Sequence, residues 1–197
     1  MPSSGPTESC AWRGTIVKDM IIAVERLPLA DRENVLSAMP RGMVESIQGA
    51  MRIAWIHADK VAALSNALVE ALGTARAEEF WVEFSIRAST SSFLGAMHTS
   101  GLRIFGVKPS GFMRNFVVAH RMTTRDMGTL KADIDDSARR GTLVYSEVPS
   151  KYLDDSFVVS SRAAVRAMFK IMDINVQLTP DTSRCSQGRL TFDLTWA

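Results

Sequence analysis

Residues 174–196, INVQLTPDTSRCSQGRLTFDLTW, decide the fold class. Ile174, Val176 and Leu178 alternate with Asn175, Gln177 and Thr179, and after the polar loop Leu190, Phe192, Leu194 and Trp196 alternate with Arg189, Thr191, Asp193 and Thr195. A period of two sends successive side chains to opposite faces, so this stretch predicts a hairpin with one buried and one solvated face.

Working back toward the N-terminus, residues 157–172 return to a helical period. Val165, Met168, Phe169 and Met172 fall on one side, and Arg162, Arg166 and Lys170 on the other. Residues 142–148, TLVYSEV, read as a strand ended by Pro149, and Leu130, Ala132 and Ile134 alternate with polar neighbours in another. Upstream of Gly128 the period is helical throughout: Val17, Met20, Ile21, Val24 and Leu27 up to Pro28; Val35, Leu36 and Met39 after a start at Asp31; Met43, Ile47, Met51 and Trp55 over 43–56; and Val61, Leu64, Leu68 and Leu72 up to Gly73. Ala77, Phe80, Trp81, Phe84 and Ala88 form an aromatic stripe on the next helix, with Thr74 as its cap. A piece from Phe93 to Phe105 is weakened by Gly95 and Gly101, and Pro109 suits the first turn of a helix in which Phe112, Met113, Phe116, Val117 and His120 share a face.

The expected fold is therefore α+β: a helical N-terminal half followed by an antiparallel sheet of about four strands with one long packed helix. Residues 1–14, rich in Ser, Pro and Gly, read as a flexible arm, and 15–197 as a single α+β domain, helical over 15–125 and sheet plus helix over 126–197.

Composition narrows the function classes. Apolar residues make up 46% and charged residues 22%, as in soluble globular proteins, and the net charge of +2 is too small to predict nucleic-acid binding. Cys10 and Cys185 stand far apart with no zinc-type spacing. With no signal-peptide pattern and no run of about eighteen apolar residues, the expected location is cytoplasmic, without a membrane span.

No constellation carries a recognised chemistry. His57, His98 and His120 are isolated in sequence, and no HExxH or GxSxG pattern occurs. His57, beside a helix start, reads as a surface or capping residue. His120, among apolar neighbours, reads as a satisfied, partly buried imidazole. Ser91, Ser92, Ser160 and Ser161 read as turn and cap residues, and Asp135/Asp136 and Asp154/Asp155 as solvated turns. Arg103, Lys108, Arg114, Arg121 and Arg125 form an acid-free run interleaved with Phe105, Phe112 and Phe116; Arg162 and Arg166 near a helix start make a second candidate anion site.

The motifs IFGVKPSGF at 104–112 and RLTFDLTW at 189–196, together with the element order over about residues 40–197, carry a resemblance. The chain resembles the haem nitric-oxide/oxygen-binding domain and its relatives of the vinyl-reductase-type ligand-binding fold. It is similar to a myxobacterial paralogous family with the pattern aliphatic-Phe-Gly-x-x-Pro-x-x-Phe and a final strand ending in Trp. The resemblance implies a sensory, ligand-binding fold, and it places His98, upstream of Pro109, where haem-binding relatives carry their axial ligand. Their Tyr-x-Ser-x-Arg motif, which holds the haem propionates, is not kept: the local sequence is VYSEVPS, with Tyr145 but no matching Arg.

The leading expectation is thus a metal-free, non-catalytic module. A cleft between helices and sheet would bind a hydrophobic or amphipathic small molecule or a partner protein, lined by Trp81, Phe84, Met97, His98, Phe105, Phe112, Phe116, His120 and Tyr145. Arg103, Arg114, Arg121, Arg162 and Arg166 are the candidate anion contacts. The alternatives are a small cofactor-free enzyme using His98 or His120 as acid or base, and a haem-based gas sensor with His98 as axial ligand. A homodimer through an exposed edge at the terminal strand is a further expectation.

Overall fold

The computed structural model describes residues 10–90 and 108–197. Its first part holds strand β1 (Ala11–Arg13), helices α1 (Gly14–Glu25), α2 (Leu29–Ala38) and α3 (Met43–Gly49), strand β2 (Trp55–His57), and helices α4 (Ala58–Leu72) and α5 (Thr74–Thr90). Then come α6 (Pro109–Thr123), strands β3 (Thr124–Arg125), β4 (Thr129–Asp135) and β5 (Arg140–Ser146), helix α7 (Asp155–Ile171), and strands β6 (Val176–Asp181) and β7 (Leu190–Trp196), which complete the α+β fold. The Phe93–Phe105 piece lies outside the described residues, as do Met97, His98, Arg103 and Phe105.

The four later strands form an antiparallel sheet in the order β4-β5-β7-β6. In the expected hairpin Val176 pairs with Trp196 and Leu178 with Leu194, so the alternating apolar residues share one face. Leu130, Leu143, Tyr145, Leu190, Phe192 and Leu194 are all buried there. Strand β7 lies between β5 and β6, which corrects the expected exposed edge at the terminal strand; the free edges belong to β4 and β6.

Two further expectations are corrected at the N-terminal side. Residues 10–14 are not a loose arm. Cys10 is buried, with its thiol donating to the Asp126 carbonyl at 2.9 Å, and β1 is the centre of a second sheet, between β2 and β3. The helix expected over 43–56 stops at Gly49, and Ala50 is already extended at φ −67°, ψ 150°. Gly49 ends the helix cheaply, and pairing with β1 then satisfies the backbone of Trp55–His57. The crossing is close: a Cβ on Gly14 would lie 2.7 Å from the Met51 carbonyl oxygen, so only glycine fits where α1 begins.

Helix α7 has two buried faces. Val159, Ala163 and Ala167 belong to the core of the helical part, whereas Val158, Val165 and Phe169 belong to the core under the sheet. Two residues of its charged side are paired across the interface. Arg162 and Arg166 reach α5, where Glu78, with its side chain 9% exposed, accepts from Arg162 Nε at 3.0 Å and from an Arg166 terminal nitrogen at 2.6 Å. Burial pushes the Glu78 carboxyl upward, but the hydrogen bonds from Arg162 and then Arg166 outweigh it and hold it below its usual value. The expectation of Arg162 and Arg166 as an anion site is therefore corrected: their anion is Glu78 itself.

Removing that charge leaves two guanidiniums against an apolar interface. Glu78→Gln is expected to destabilise the fold by about 2–3 kcal/mol, below the roughly 3–5 kcal/mol of a fully buried pair because Arg166 keeps some water contact. Urea unfolding at neutral pH checks this, and a change under about 0.5 kcal/mol would show the pair to be no more than a surface salt bridge.

A candidate ligand cavity between the helices and the sheet

Helices α4, α5, α6 and α7 each turn a stripe of small residues toward a common space. Ala58, Ala62 and Ser65 come from α4; Ser85, Ala88 and Ser89 from α5; Ala119 and Thr123 from α6; Ser160, Ser161 and Ala164 from α7. Positions three and four apart lie on one helix face, so each set acts as a single wall. Because these side chains are short, the helices leave between them a cavity of about 190 Å³. Larger groups complete the lining: Trp12, Ile16 and Met20 from the N-terminal strand and helix, Trp81 and Phe84 from α5, Phe116 and His120 from α6, Tyr145 from β5, and Met127, Tyr152, Phe157 and Met168.

Three of the lining hydroxyls are spent on the backbone of their own helices. Ser89 Oγ donates to the Ile86 carbonyl at 2.7 Å, Ser160 Oγ to Phe157 at 3.1 Å and Thr123 Oγ1 to Ala119 at 2.8 Å. Such back-bonding hides the polarity of a serine and leaves its methylene toward the cavity. Ser161 sits within α7 and bonds the Tyr145 hydroxyl, which corrects its reading as a cap. Burial pushes the Tyr145 phenol up to about 12, so it stays a neutral phenol.

Among the described lining residues Asp154 is the sole carboxylate, and it is fully engaged. It caps α7, accepting from Phe157 N–H at 2.9 Å and Ser156 Oγ at 2.8 Å, while Asn66 donates to its second oxygen at 3.2 Å. Nearby, the Tyr152 hydroxyl and Lys151 Nζ donate to Asp59 Oδ1 at 2.8 and 2.9 Å, fastening the 150–152 turn to the start of α4. The hydrogen bond from Lys151, ahead of that from Tyr152, holds the Asp59 carboxyl below its usual range despite some burial. His57 caps α4, its Nδ1 accepting the Asp59 N–H at 3.2 Å, in keeping with the capping role expected of it.

His120 departs from its expected role. Its Nε2 is buried without a hydrogen-bond partner, and so is the indole nitrogen of Trp81. The imidazole packs edge to face against Tyr145 with ring centroids 5.6 Å apart. Burial drives its pKa down to about 4, so it is neutral at physiological pH.

The cavity gathers Trp81, Phe84, Phe116, His120 and Tyr145 from the residues expected by sequence. Phe112 is buried in the core and does not line the cavity, while Arg114 and Arg121 are exposed on α6 away from the wall. Sequence reading missed Trp12, because it lay in the supposed arm, and missed the contributions of Tyr152 and Phe157 from the turn and first residues of α7. The signal that could have found the walls was the spacing of alanine and serine, which hydrophobicity counts overlook. Among the described residues no group of three or more His, Cys, Asp or Glu side chains converges, and no helix is long and apolar enough to cross a membrane.

Neither a protein-family model nor a curated protein sequence matches the chain. Solved structures do. The unliganded Fe(II) H-NOX protein from K. algicida is 9% identical, the alignment covering 94% of this chain and 96% of that one, with a TM-score of 0.59. An H-NOX protein from S. oneidensis in the Fe(II)NO ligation state is 9% identical over 94% and 99% of the two chains, with a TM-score of 0.55. An H-NOX variant from T. tengcongensis is 14% identical over 93% and 97%, also at 0.55. At these identities the likeness is one of fold, and the chain has an H-NOX-like fold.

The orphaned imidazole leaves a mark on stability. In the folded chain His120 titrates near 4 and in the unfolded chain near 6.5, so between these values the unfolded chain binds more protons. The contribution is complete above about pH 6.5 and is lost as pH falls toward 4, by about 3 kcal/mol in all. Denaturant unfolding from about pH 7 to 4 should show this slope in the wild type and its loss in His120→Leu; an equal slope in both would place the titration elsewhere.

Proposed function

We propose that this H-NOX-like chain is a ligand-binding module that takes a compact, largely apolar small molecule into the cavity between α4, α5, α6, α7 and β5. The observation that carries this reading is the cavity itself. At about 190 Å³ it has many times the roughly 10–15 Å³ of probe space that one water needs, and it exceeds the engineered apolar cavity of about 150 Å³ that binds benzene.

Catalysis finds less support. His120 is the acid or base candidate within the described residues, but it lacks a hydrogen-bonded partner at Nε2 to orient it, and no described nucleophile is activated beside it. Both cysteine thiols are pushed up by burial, away from reactivity.

Haem is a second reading, favoured by the fold and by the unpartnered Nε2 of His120. The described lining does not fit it. Among the described residues no guanidinium or ammonium lines the cavity to receive propionates, since Arg162 and Arg166 are held by Glu78, and the Tyr145 hydroxyl is taken by Ser161. The volume also falls below the roughly 300 Å³ at which pockets for drug-sized ligands begin.

Filling the cavity tests the proposal. Ala164→Leu should raise stability by about 1 kcal/mol and abolish the rise in melting temperature that a panel of one-ring hydrocarbons and ketones gives the wild type. Equal ligand responses in both proteins, or none in the wild type, would contradict the reading. A stoichiometric bound-haem absorption band on adding haem to the wild type would replace it with the haem reading.

A further inference from the structure

We infer that the turn at residues 51–54, together with the sheet face beside it, is a docking surface for an anionic membrane. Met51 and Ile53 are the most exposed of the large apolar side chains among the described residues, at 70% and 74%. The turn that carries them is firmly held. Ala54 N–H donates to the Met51 carbonyl at 3.0 Å, Gly14 N–H to the Ala54 carbonyl at 2.7 Å, Thr15 Oγ1 to the Arg52 carbonyl at 2.9 Å, and an Arg13 terminal nitrogen to the Ile53 carbonyl at 3.1 Å. The fold thus fixes two apolar side chains in water, where the driving force for covering them is left unused.

Beside the turn, one face of the sheet β2-β1-β3 gathers positive charge. Arg13 on β1 lies opposite Trp55 on β2, and Arg125 on β3 lies opposite Ala11, so all three side chains leave the same face, the reverse of the one that carries Trp12 to the cavity. The Arg13 and Arg125 guanidiniums lie 4.1 and 5.2 Å from the centre of the Trp55 ring. Arg52, in the turn, is paired with Asp19 at 2.9 Å, and His57, on the same face, lies 3.3 Å from Asp59, whereas Arg13 and Arg125 form no salt bridge among the described residues. Two like charges held on one ring without a counter-ion favour an anionic surface. A bilayer suits this shape better than a protein does. A protein partner needs roughly 800 Å² on each side, whereas two apolar side chains raised on a turn make a small wedge. That wedge enters the acyl boundary while the arginines and the Trp55 indole stay at head-group level.

Co-sedimentation of the full chain with vesicles of phosphatidylcholine, with and without about one-third phosphatidylglycerol, tests the inference. The wild type is expected to bind the anionic vesicles at least about ten-fold more tightly than the neutral ones, and to lose that preference as salt rises. Arg125→Gln should weaken binding about five-fold, and the double variant Met51→Ser, Ile53→Ser at least about ten-fold. Leu29→Ser, which removes an exposed apolar residue beyond the far end of α1, should bind like the wild type. All four positions are exposed, so these changes leave the fold intact. No binding to the anionic vesicles, equal binding to the neutral ones, or undiminished binding by the double variant overturns the inference. So does a wild-type dimer in sedimentation velocity that the double variant abolishes, because a second copy of the chain then covers the turn.

Discussion

The clasp between α5 and α7 holds the rest in place. Glu78 reaches from the helical part, Arg162 and Arg166 reach from the helix that lies on the sheet, and the three charges meet at a nearly buried carboxylate with the two guanidiniums partly in water. Helix α7 can serve two cores only because of this arrangement. Its alanines close against α5 while Val165 and Phe169 cover the sheet, so the charged residues between them need a partner at the seam. A pair of this kind adds little net stability over apolar packing, but a broken one is costly, and it therefore fixes which face of α7 meets which core.

Once α7 is fixed, the cavity follows from side-chain size. Large residues fill the two cores, and the small ones of α4, α5, α6 and α7 converge between them. Within the described lining, the hydroxyls of Ser89, Thr123 and Ser160 turn back to their own helices, the carboxylate of Asp154 is consumed by the cap of α7, and the imidazole of His120 is neutral. Two nitrogens of lining residues, Trp81 Nε1 and His120 Nε2, are buried without a hydrogen-bond partner.

Much of the fold was legible in the sequence. The period-two patterns pair as read from Val176 onward and over 190–196, and the stripe Ala77, Phe80, Trp81, Phe84 and Ala88 is buried as one face, because in both cases a single buried side imposes its rhythm on the residues. The second sheet was not legible. Strands β1, β2 and β3 hold three residues or fewer, too short for any period to appear, and Met51 and Trp55 lie four and eight positions after Ile47, which imitates a helix that Gly49 ends. The candidate site was legible only in part of its aromatic lining, Trp81, Phe84, Phe116, His120 and Tyr145, and not in Trp12, Tyr152 or Phe157. Its walls are alanine and serine, residues that carry no hydrophobic rhythm, and the pairing of Arg162 and Arg166 with Glu78 joins residues 84 and 88 positions apart, which only tertiary structure brings together.

The central claim is that the space between the helices and the sheet receives a small molecule. Methyl NMR of protein labelled at methionine tests it most directly, because Met20, Met127 and Met168 line the cavity whereas Met39 and Met43 are buried elsewhere in the core. On titration with acetophenone the account predicts saturable shifts confined to the first three methyls. Uniform small shifts across all of them, or shifts at Met39 and Met43 without the others, would contradict it.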